Sequence, residues 1–101
     1  MRYRTLGKTD IEVSEICLGT MTWGTQNDQL DANQQIEHAL AVGINFIDTA
    51  EMYPVNPIAP ETVGNSERVI GTWLGKVQQR HDFVIATKIT GNNRGFVRDG
   101  E

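Results

Sequence analysis

The feature that most constrains this fold is an apolar strand that ends in a charge, within the segment Gly43–Tyr53. Alternate residues of an extended chain share a face, so Ile44, Phe46 and Asp48 point the same way. Tyr53 follows one short loop later. Reactive groups collect at the C-terminal ends of parallel strands, because the rest of each strand is packed core. The segment therefore predicts a buried parallel strand with an acid and a phenol at that end.

Two further apolar runs, over residues 16–19 and 83–87, predict strands on either side of the central strand 44–49. The last of these runs is followed at once by Lys88. Because parallel strands end at one edge of a sheet, an amine is expected at the same rim as the acid and the phenol.

Two helices are predicted between these strands. The first is capped by Asp31, with Gln34 three positions later, and stops at Gly43. The second is capped by Asn65, with Glu67 in its first turn as a partner of the helix dipole. Its apolar stripe and its basic C-terminal residues are Val69, Ile70, Trp73, Leu74 and Val77, with Lys76 and Arg80.

The predicted order is a hairpin over residues 1–13, then β-α-β-α-β, then a loop over 90–101. Such alternation implies right-handed crossovers and a parallel sheet, hence an α/β fold with residues 1–101 as one unit. A (β/α)₈ barrel takes about 250 residues. If this is a barrel, the chain supplies only about three of its eight strands.

Composition excludes several classes of protein. The net charge is -4 and the nine basic residues are scattered, which argues against a nucleic-acid partner. Because Cys17 is the single cysteine, an internal disulfide framework is ruled out and no metal site is predicted. Cys17 lies in an apolar run and is predicted to be a small buried hydrophobic residue. Neither a signal peptide nor a run of the ~20 apolar residues that span a bilayer is seen. The chain is therefore expected in the cytoplasm, away from membranes.

Four segments in this order resemble the aldo-keto reductase superfamily, most nearly its bacterial members of the Tas type. The likeness extends over essentially all 101 residues. The segments that carry it, after the N-terminal hairpin, are Leu18–Gly24, Phe46–Tyr53, Gly64–Glu67 with Ile70 and Gly71, and Ile85–Lys88.

The resemblance implies a (β/α)₈ barrel closed at its bottom by the 1–13 hairpin, and NADPH-dependent reduction of an aldehyde or ketone to an alcohol. Of the family's catalytic Asp, Tyr, Lys and His, this chain matches Asp48, Tyr53 and Lys88. The histidine is expected beyond Glu101, as are the residues that hold the cofactor's 2′-phosphate. The resemblance further implies that Asp48 and the residues of the loop after the first strand, Gly19, Thr20 and Met21, bind cofactor, and that Trp23 contacts substrate.

The chemistry of such a rim follows from its residue types. A carbonyl that accepts hydride develops negative charge on oxygen, which a nearby acid must neutralise. A phenol with its ordinary pKa of about 10 is a weak acid for this task, and a lysine ammonium within a few ångströms makes it stronger. A paired carboxylate holds that lysine charged. Hydride must come from a cofactor, since no side chain supplies it.

Each assignment has a structural alternative. Asp48 can cap the following loop, Lys88 can be a strand-end lysine that reaches into water, and Tyr53 can pack on the rim. Gly19–Met21 can be a plain loop, and Trp23 can pack at the rim. Residues assigned to purely structural roles are Trp73 in the core, Glu67 at the helix start, and His38 and His81 at the surface.

Two classes of function remain open from the sequence. In the first, the chain is the N-terminal part of a reductase, and residues 1–101 alone are expected to be inactive. In the second, it is a non-catalytic fragment or half-barrel. Its open strand edges would then pair with a complementary chain or a second copy.

Overall fold

In a computed structural model of the protein, the chain begins with a hairpin. The structure describes residues 1–77, 80–91 and 95–97. Strand β1 (Tyr3–Thr5) pairs antiparallel with β2 (Glu12–Ser14), one residue beyond the predicted 1–13. Gly7 turns the chain at φ 59°, and the Leu6 N–H donates to the Ile11 carbonyl at 2.8 Å.

The predicted parallel sheet is confirmed. Strands β3 (Leu18–Gly19), β4 (Phe46–Asp48) and β5 (Val84–Ala86) lie in the order β3-β4-β5 with both pairs parallel. Each strand is shorter than predicted from its apolar run. A ladder persists only where neighbouring backbones run alongside each other, so apolar residues before and after that overlap stay outside the strands.

Helix α1 spans Gln29–Ala41 and begins earlier than predicted. Its N-cap is Asp28 and not Asp31, which corrects the predicted boundary. The Asp28 carboxylate accepts the Asp31 N–H at 2.9 Å, and the Asp31 carboxylate accepts the Asp28 N–H at 3.3 Å. The capping box is thus made by two aspartates, with Gln34 outside it. Gly43 lies just past the helix at φ 95°, as predicted.

Helix α2 spans Asn65–Leu74, and its N-cap is Gly64 instead of the predicted Asn65. The Gly64 backbone is left-handed, at φ 88°, and the Asn65 side chain accepts a hydrogen bond from Arg68 at 2.8 Å. The helix also stops before the end of its predicted stripe, since Gly75 follows Leu74. Of the residues predicted at its C-terminal end, Lys76 lies beyond the helix and Arg80 lies in a separate 3₁₀ turn, Arg80–Asp82.

The core lies between the sheet and the two helices. Ile47 of β4 is buried there, while its neighbours Phe46 and Asp48 point to the other, half-open face of the sheet. The remaining buried members of this cluster are Trp23, Ala32, Ile36, Ile70, Trp73 and Phe83. Trp73 is therefore a core residue, as predicted, and its ring contacts Phe83 at a centroid distance of 5.3 Å.

Cys17 is exposed, so its prediction as a buried residue is wrong. It lies on the open face of the sheet beside Phe46, in a depression shared with the hairpin residue Val13. Partial desolvation, followed by the negative charge of Asp48, raises the pKa of the Cys17 thiol. An apolar run predicted burial on both faces, but only one face of the described sheet is covered by helices.

The predicted loop over residues 90–101 falls only partly on described residues. Thr90, Gly91 and residues 95–97 lie outside helices and strands. Residues 92–94 and 98–101 lie outside the part of the chain that the structure describes. Within that part, no helix is both long and apolar enough to cross a membrane.

Candidate functional site at the C-terminal edge of the sheet

The register of the sheet places the predicted site residues at one edge. Gly19 is level with Asp48 across β3 and β4, and Asp48 is level with Ala86 across β4 and β5. Lys88 follows Ala86 by two residues, and Tyr53 follows Asp48 by five. Parallel pairing therefore brings an acid, a phenol and an amine to the same rim.

The Lys88 ammonium is the centre of this cluster. It donates to Asp48 Oδ2 at 2.7 Å, to the Tyr53 hydroxyl oxygen at 3.3 Å and to the Thr49 carbonyl at 2.8 Å. Lys88 Nζ also lies 4.8 Å from the centroid of the Tyr53 ring. An ammonium has three protons, and each has an acceptor here, so the side chain is held in one place.

Charge pairing sets the protonation state of the lysine. The hydrogen bond to Asp48 is the largest cause that raises the pKa of Lys88, and the Tyr53 hydroxyl adds to it, against the opposing effect of desolvation. The Lys88 and Asp48 side chains are 50% and 35% exposed. The pair is therefore open to solvent and to small molecules while the amine stays charged at neutral pH.

Backbone hydrogen bonds hold the loop that carries Tyr53. Its N–H donates to the Ala50 carbonyl at 3.1 Å, and its carbonyl accepts from the Gly64 N–H at 2.9 Å. Two residues later, the Val55 N–H donates to the Met21 carbonyl at 2.9 Å. The loop after β4 is thus fastened both to the start of α2 and to the loop after β3.

Two glutamates that sequence reasoning did not place at the site hold the segment around Lys88. The Glu67 carboxylate accepts the Thr87 hydroxyl at 2.7 Å. The Glu51 N–H donates to the Lys88 carbonyl at 3.3 Å, and the Glu51 carboxylate accepts a hydrogen bond from the Thr90 N–H. Glu67 was predicted only as a dipole partner, because a contact between residues twenty positions apart leaves no periodic signal.

The residues predicted to bind cofactor lie along the β3 end of the rim. Gly19 is exposed, and a Cβ placed on it would meet nothing within 4 Å. Met21 is 48% exposed. Thr20 is buried, and its hydroxyl donates to the Asp48 carbonyl at 3.0 Å. The Thr20 side chain therefore fixes the strand end, which leaves Gly19 and Met21 open to a ligand.

Trp23 lies in the core, which corrects its prediction as a substrate contact. Its side chain is 1% exposed and belongs to the core between the sheet and the helices. The indole N–H donates to the Gln35 side chain of α1 at 3.1 Å. The loop after β3 turns the Trp23 ring toward the core. The residue pattern of this loop does not indicate whether the ring points toward the core or toward solvent.

The two histidines lie away from this cluster. His38 is exposed in the last turn of α1, and His81 is exposed in the 3₁₀ turn before β5, so the predicted surface positions are confirmed. Among the residues that the structure describes, no group of three or more His, Cys, Asp and Glu side chains is arranged to hold a metal ion.

The chain is similar to known proteins along most of its length. Residues 15–100 match the model of the aldo/keto reductase family. The chain is 48% identical to Protein tas of Escherichia coli over 94 residues, which are 93% of this chain and 27% of that protein. It is 39% identical to the uncharacterized oxidoreductase YrpG of Bacillus subtilis over 90 residues, 88% of this chain and 26% of that protein.

Among solved structures, the chain is similar to an aldo-keto reductase from Bacillus halodurans in its holo form. The TM-score is 0.70 at 36% identity, and the match covers 91% of this chain and 26% of that one. The chain thus spans about a quarter of the length of the relatives it matches. Its fold is the predicted one, a part of a (β/α)₈ barrel.

Proposed function

Because this chain belongs to the aldo/keto reductase family, we propose that it supplies Asp48, Tyr53 and Lys88 to a site that reduces an aldehyde or ketone to an alcohol with NADPH. The observation that carries the proposal is the Lys88 ammonium, hydrogen-bonded at once to Asp48 and to the Tyr53 hydroxyl. A purely structural lysine at a strand end needs neither of these partners.

In this proposal Tyr53 is the general acid. Its hydroxyl gives a proton to the carbonyl oxygen as negative charge develops there. The Lys88 ammonium stabilises the phenolate that remains, because it already donates to that oxygen. Asp48 keeps Lys88 charged and holds it between the two strands.

The described residues fit the nicotinamide end of the cofactor. When bound, NADPH supplies the hydride that the carbonyl carbon accepts. Gly19 offers open backbone next to Asp48, and the exposed Met21 side chain offers an apolar wall to a flat ring. Both lie at the edge of the sheet where Lys88 and Tyr53 meet.

We further propose that residues 1–101 alone do not turn over substrate. The family's histidine and the residues for the cofactor's 2′-phosphate are expected outside this segment. Strands β3 and β5 each have one paired neighbour among the described residues, so two edges are open. The second candidate function, a half-barrel that associates with another chain, is favoured by these edges. The cytoplasmic location stays a prediction.

A chimaera tests the proposed function. Residues 1–101 replace the segment they match in the Bacillus halodurans aldo-keto reductase, and NADPH oxidation is followed with a panel of aliphatic and aromatic aldehydes. Tyr53→Phe should lower kcat about 10²–10⁴-fold. Tyr3→Phe is the matched control, since its hydroxyl donates to the Gly43 carbonyl in the hairpin region. Equal rates in the two variants would refute the role of Tyr53.

The half-barrel alternative has its own test. Size-exclusion chromatography with light scattering of the 101-residue chain gives its oligomeric state. A monomer with cooperative unfolding would count against obligate association, whereas a stable dimer or tetramer would support pairing through the edges of β3 and β5.

A further inference from the structure

The N-cap and first turn of α2 contact each of the three segments that carry the proposed site. The Gly64 N–H donates to the Tyr53 carbonyl at 2.9 Å. The Ser66 hydroxyl faces two carbonyls of the loop after β3, those of Thr20 at 3.0 Å and Trp23 at 2.7 Å. The Glu67 carboxylate accepts the Thr87 hydroxyl, one residue before Lys88.

We propose that this turn is the positioning element of the site, in which Glu67 acts through Thr87 to place Lys88 and Ser66 places the loop of Thr20 and Met21. The inference rests on the proposed function, and it assigns separate tasks to two neighbouring residues. Neither residue is a catalytic residue, since each acts through another group.

Lys88 lies beyond the end of β5. Strand pairing stops at Ala86, so the ladder does not hold Thr87 or Lys88. Adjacent residues of an extended chain point to opposite faces. The hydrogen bond to the Thr87 side chain therefore holds the backbone on the face opposite to the site, while Lys88 projects into the site. A hydrogen bond to a carboxylate is stronger than one between neutral groups.

Glu51 holds the same segment from its other side. Its N–H donates to the Lys88 carbonyl, and its carboxylate accepts the Thr90 N–H. Glu51 lies in the loop between Asp48 and Tyr53, so its substitution would disturb that loop as well. Glu67 is the better probe, because α2 carries it and no other described segment depends on its carboxylate for a hydrogen bond that the structure shows.

Ser66 is buried at the start of α2. The residue is 0% exposed, and α2 has no side-chain cap, so the hydroxyl does not serve the helix start. It has one proton and two carbonyls within reach, both in the loop that continues from Gly19. Removal of this hydroxyl takes away a buried donor that the two carbonyls share and frees the loop that bears Met21.

A plain dipole role for Glu67 makes different predictions. A dipole partner acts through its charge, so Glu67→Gln would behave like Glu67→Ala, and Thr87→Val would have no effect. A positioning role needs only an acceptor for Thr87. Glu67→Gln should then retain most of the function, and Thr87→Val should reproduce the loss caused by Glu67→Ala.

The first test uses the 101-residue chain and needs no turnover. NMR titration of the lysine side chains should show the pKa of Lys88 above the ordinary lysine value, because Asp48 and Tyr53 lie against it. Displacement of Lys88 in Glu67→Ala and Thr87→Val should move that pKa toward the ordinary value, while Glu67→Gln should preserve it. The exposed Lys8 serves as the internal reference.

The second test uses the chimaera described above. Glu67→Ala and Thr87→Val should lower kcat about 10- to 100-fold with little change in the Kd for NADPH, because a small misplacement of a catalytic group costs up to about 10²-fold. Ser66→Ala should raise the Kd for NADPH about tenfold with a smaller change in kcat. Thr72→Val, on the exposed side of α2, removes a hydroxyl that donates to the Arg68 carbonyl and should change neither the Kd nor kcat.

The outcomes separate this inference from the function on which it rests. If Tyr53→Phe abolishes activity while Thr87→Val leaves kcat and the Lys88 titration unchanged, the positioning role is wrong and the proposed function stands. If Tyr53→Phe leaves activity unchanged, the proposed function itself fails. Thr87 is exposed, so Thr87→Val keeps the test decisive even if Ser66→Ala does not fold.

Discussion

The two ends of the three-stranded sheet differ in the side chain at their centre, which is Asn45 at the hairpin end and Lys88 at the rim. At the hairpin end, Asn45 accepts the Ser14 N–H at 2.7 Å and donates to the Glu12 carbonyl at 3.1 Å. The Tyr3 hydroxyl reaches the Gly43 carbonyl at 2.5 Å. At the rim, the exposed Lys88 pairs with the half-exposed Asp48 and also donates to the Tyr53 hydroxyl.

The difference shows which end stabilises the fold and which end does chemistry. The neutral side chains of Asn45 and Tyr3 at the hairpin end hydrogen-bond to backbone groups that would otherwise be left unpaired. Charged side chains at the rim are partly open to water, where an ion pair adds little to the free energy of folding. We therefore expect substitutions at the hairpin end to lower stability, and substitutions at the rim to lower activity.

The largest effect is expected from Lys88→Met at the rim. The variant removes the ammonium that faces both Asp48 and Tyr53. We expect kcat in the chimaera to fall about 10²–10³-fold, since a charge-stabilising donor is lost, with little change in the midpoint of urea unfolding.

Lys76→Met, beyond the end of α2, is the matched control and should keep the full rate. If Lys88→Met lowered stability more than rate, the contrast between the two ends would be wrong.

At the hairpin end, Asn45→Ala should lower the stability of the fold and leave kcat nearly unchanged. It removes the acceptor of the Ser14 N–H and the donor to the Glu12 carbonyl. Two lost hydrogen bonds should lower the free energy of unfolding by about 2 kcal/mol. Urea unfolding of the 101-residue chain measures this, with the exposed Gln34→Ala on α1 as control.

The chimaera that carries Asn45→Ala should still reduce aldehydes at close to the parent rate at low temperature. A loss of kcat comparable to that of Lys88→Met would mean that the hairpin end takes part in the chemistry.

A smaller change in stability is expected from substitutions at the start of α1, which lies at neither end of the sheet. Asp28→Ala removes the carboxylate that accepts the Asp31 N–H and should cost about 1 kcal/mol of stability. Asp31→Ala should cost less, because its own bond to the Asp28 N–H is longer. Thermal unfolding of both variants would show the reverse order if Asp31 were the true cap.

The smallest effect is the alkaline pH dependence of stability. The pKa of Lys88 is raised in the folded chain, first by its hydrogen bond to Asp48. The folded state therefore keeps this proton more tightly than the unfolded state does. Its stabilising contribution is fully present below the ordinary lysine value of 10.5 and is lost as the pH rises through the higher, folded-state value.

Urea unfolding at neutral pH and well above that value measures the difference. The parent should lose slightly more stability than Lys88→Met over this range, because the pair is largely solvated. An identical pH dependence in the two proteins would show that the pair does not contribute.

Much of the site was predictable because it depends on local patterns. The apolar run that ends at Asp48 and the run that ends before Lys88 each indicate a strand, and alternation with helices indicates a parallel sheet. Once the strands are parallel, their ends share an edge, and the two side chains meet there. Tyr53 follows Asp48 by one short loop, which placed its phenol at the same edge.

Side-chain direction within loops was not predictable in this way. Trp23 turns into the core, and Cys17 lies on the open face, although the residues around each allowed the opposite assignment. A loop has no periodicity that relates one residue to a face. The helix caps failed for a related reason: Asp28 and Asp31 are both good caps, and the first turn of the helix decides between them.

The order of strands and helices, and the edge at which Asp48 and Lys88 emerge, were determined by the sequence alone, because hydrophobic periodicity is a local property of the chain. Tertiary structure decided that Ser66 reaches the loop after β3 and that Glu67 reaches Thr87. These contacts join residues 46 and 20 positions apart, and they depend on how α2 lies against the sheet. That placement results from the packing of Ile70 and Trp73 on the strands, which is a property of the whole core.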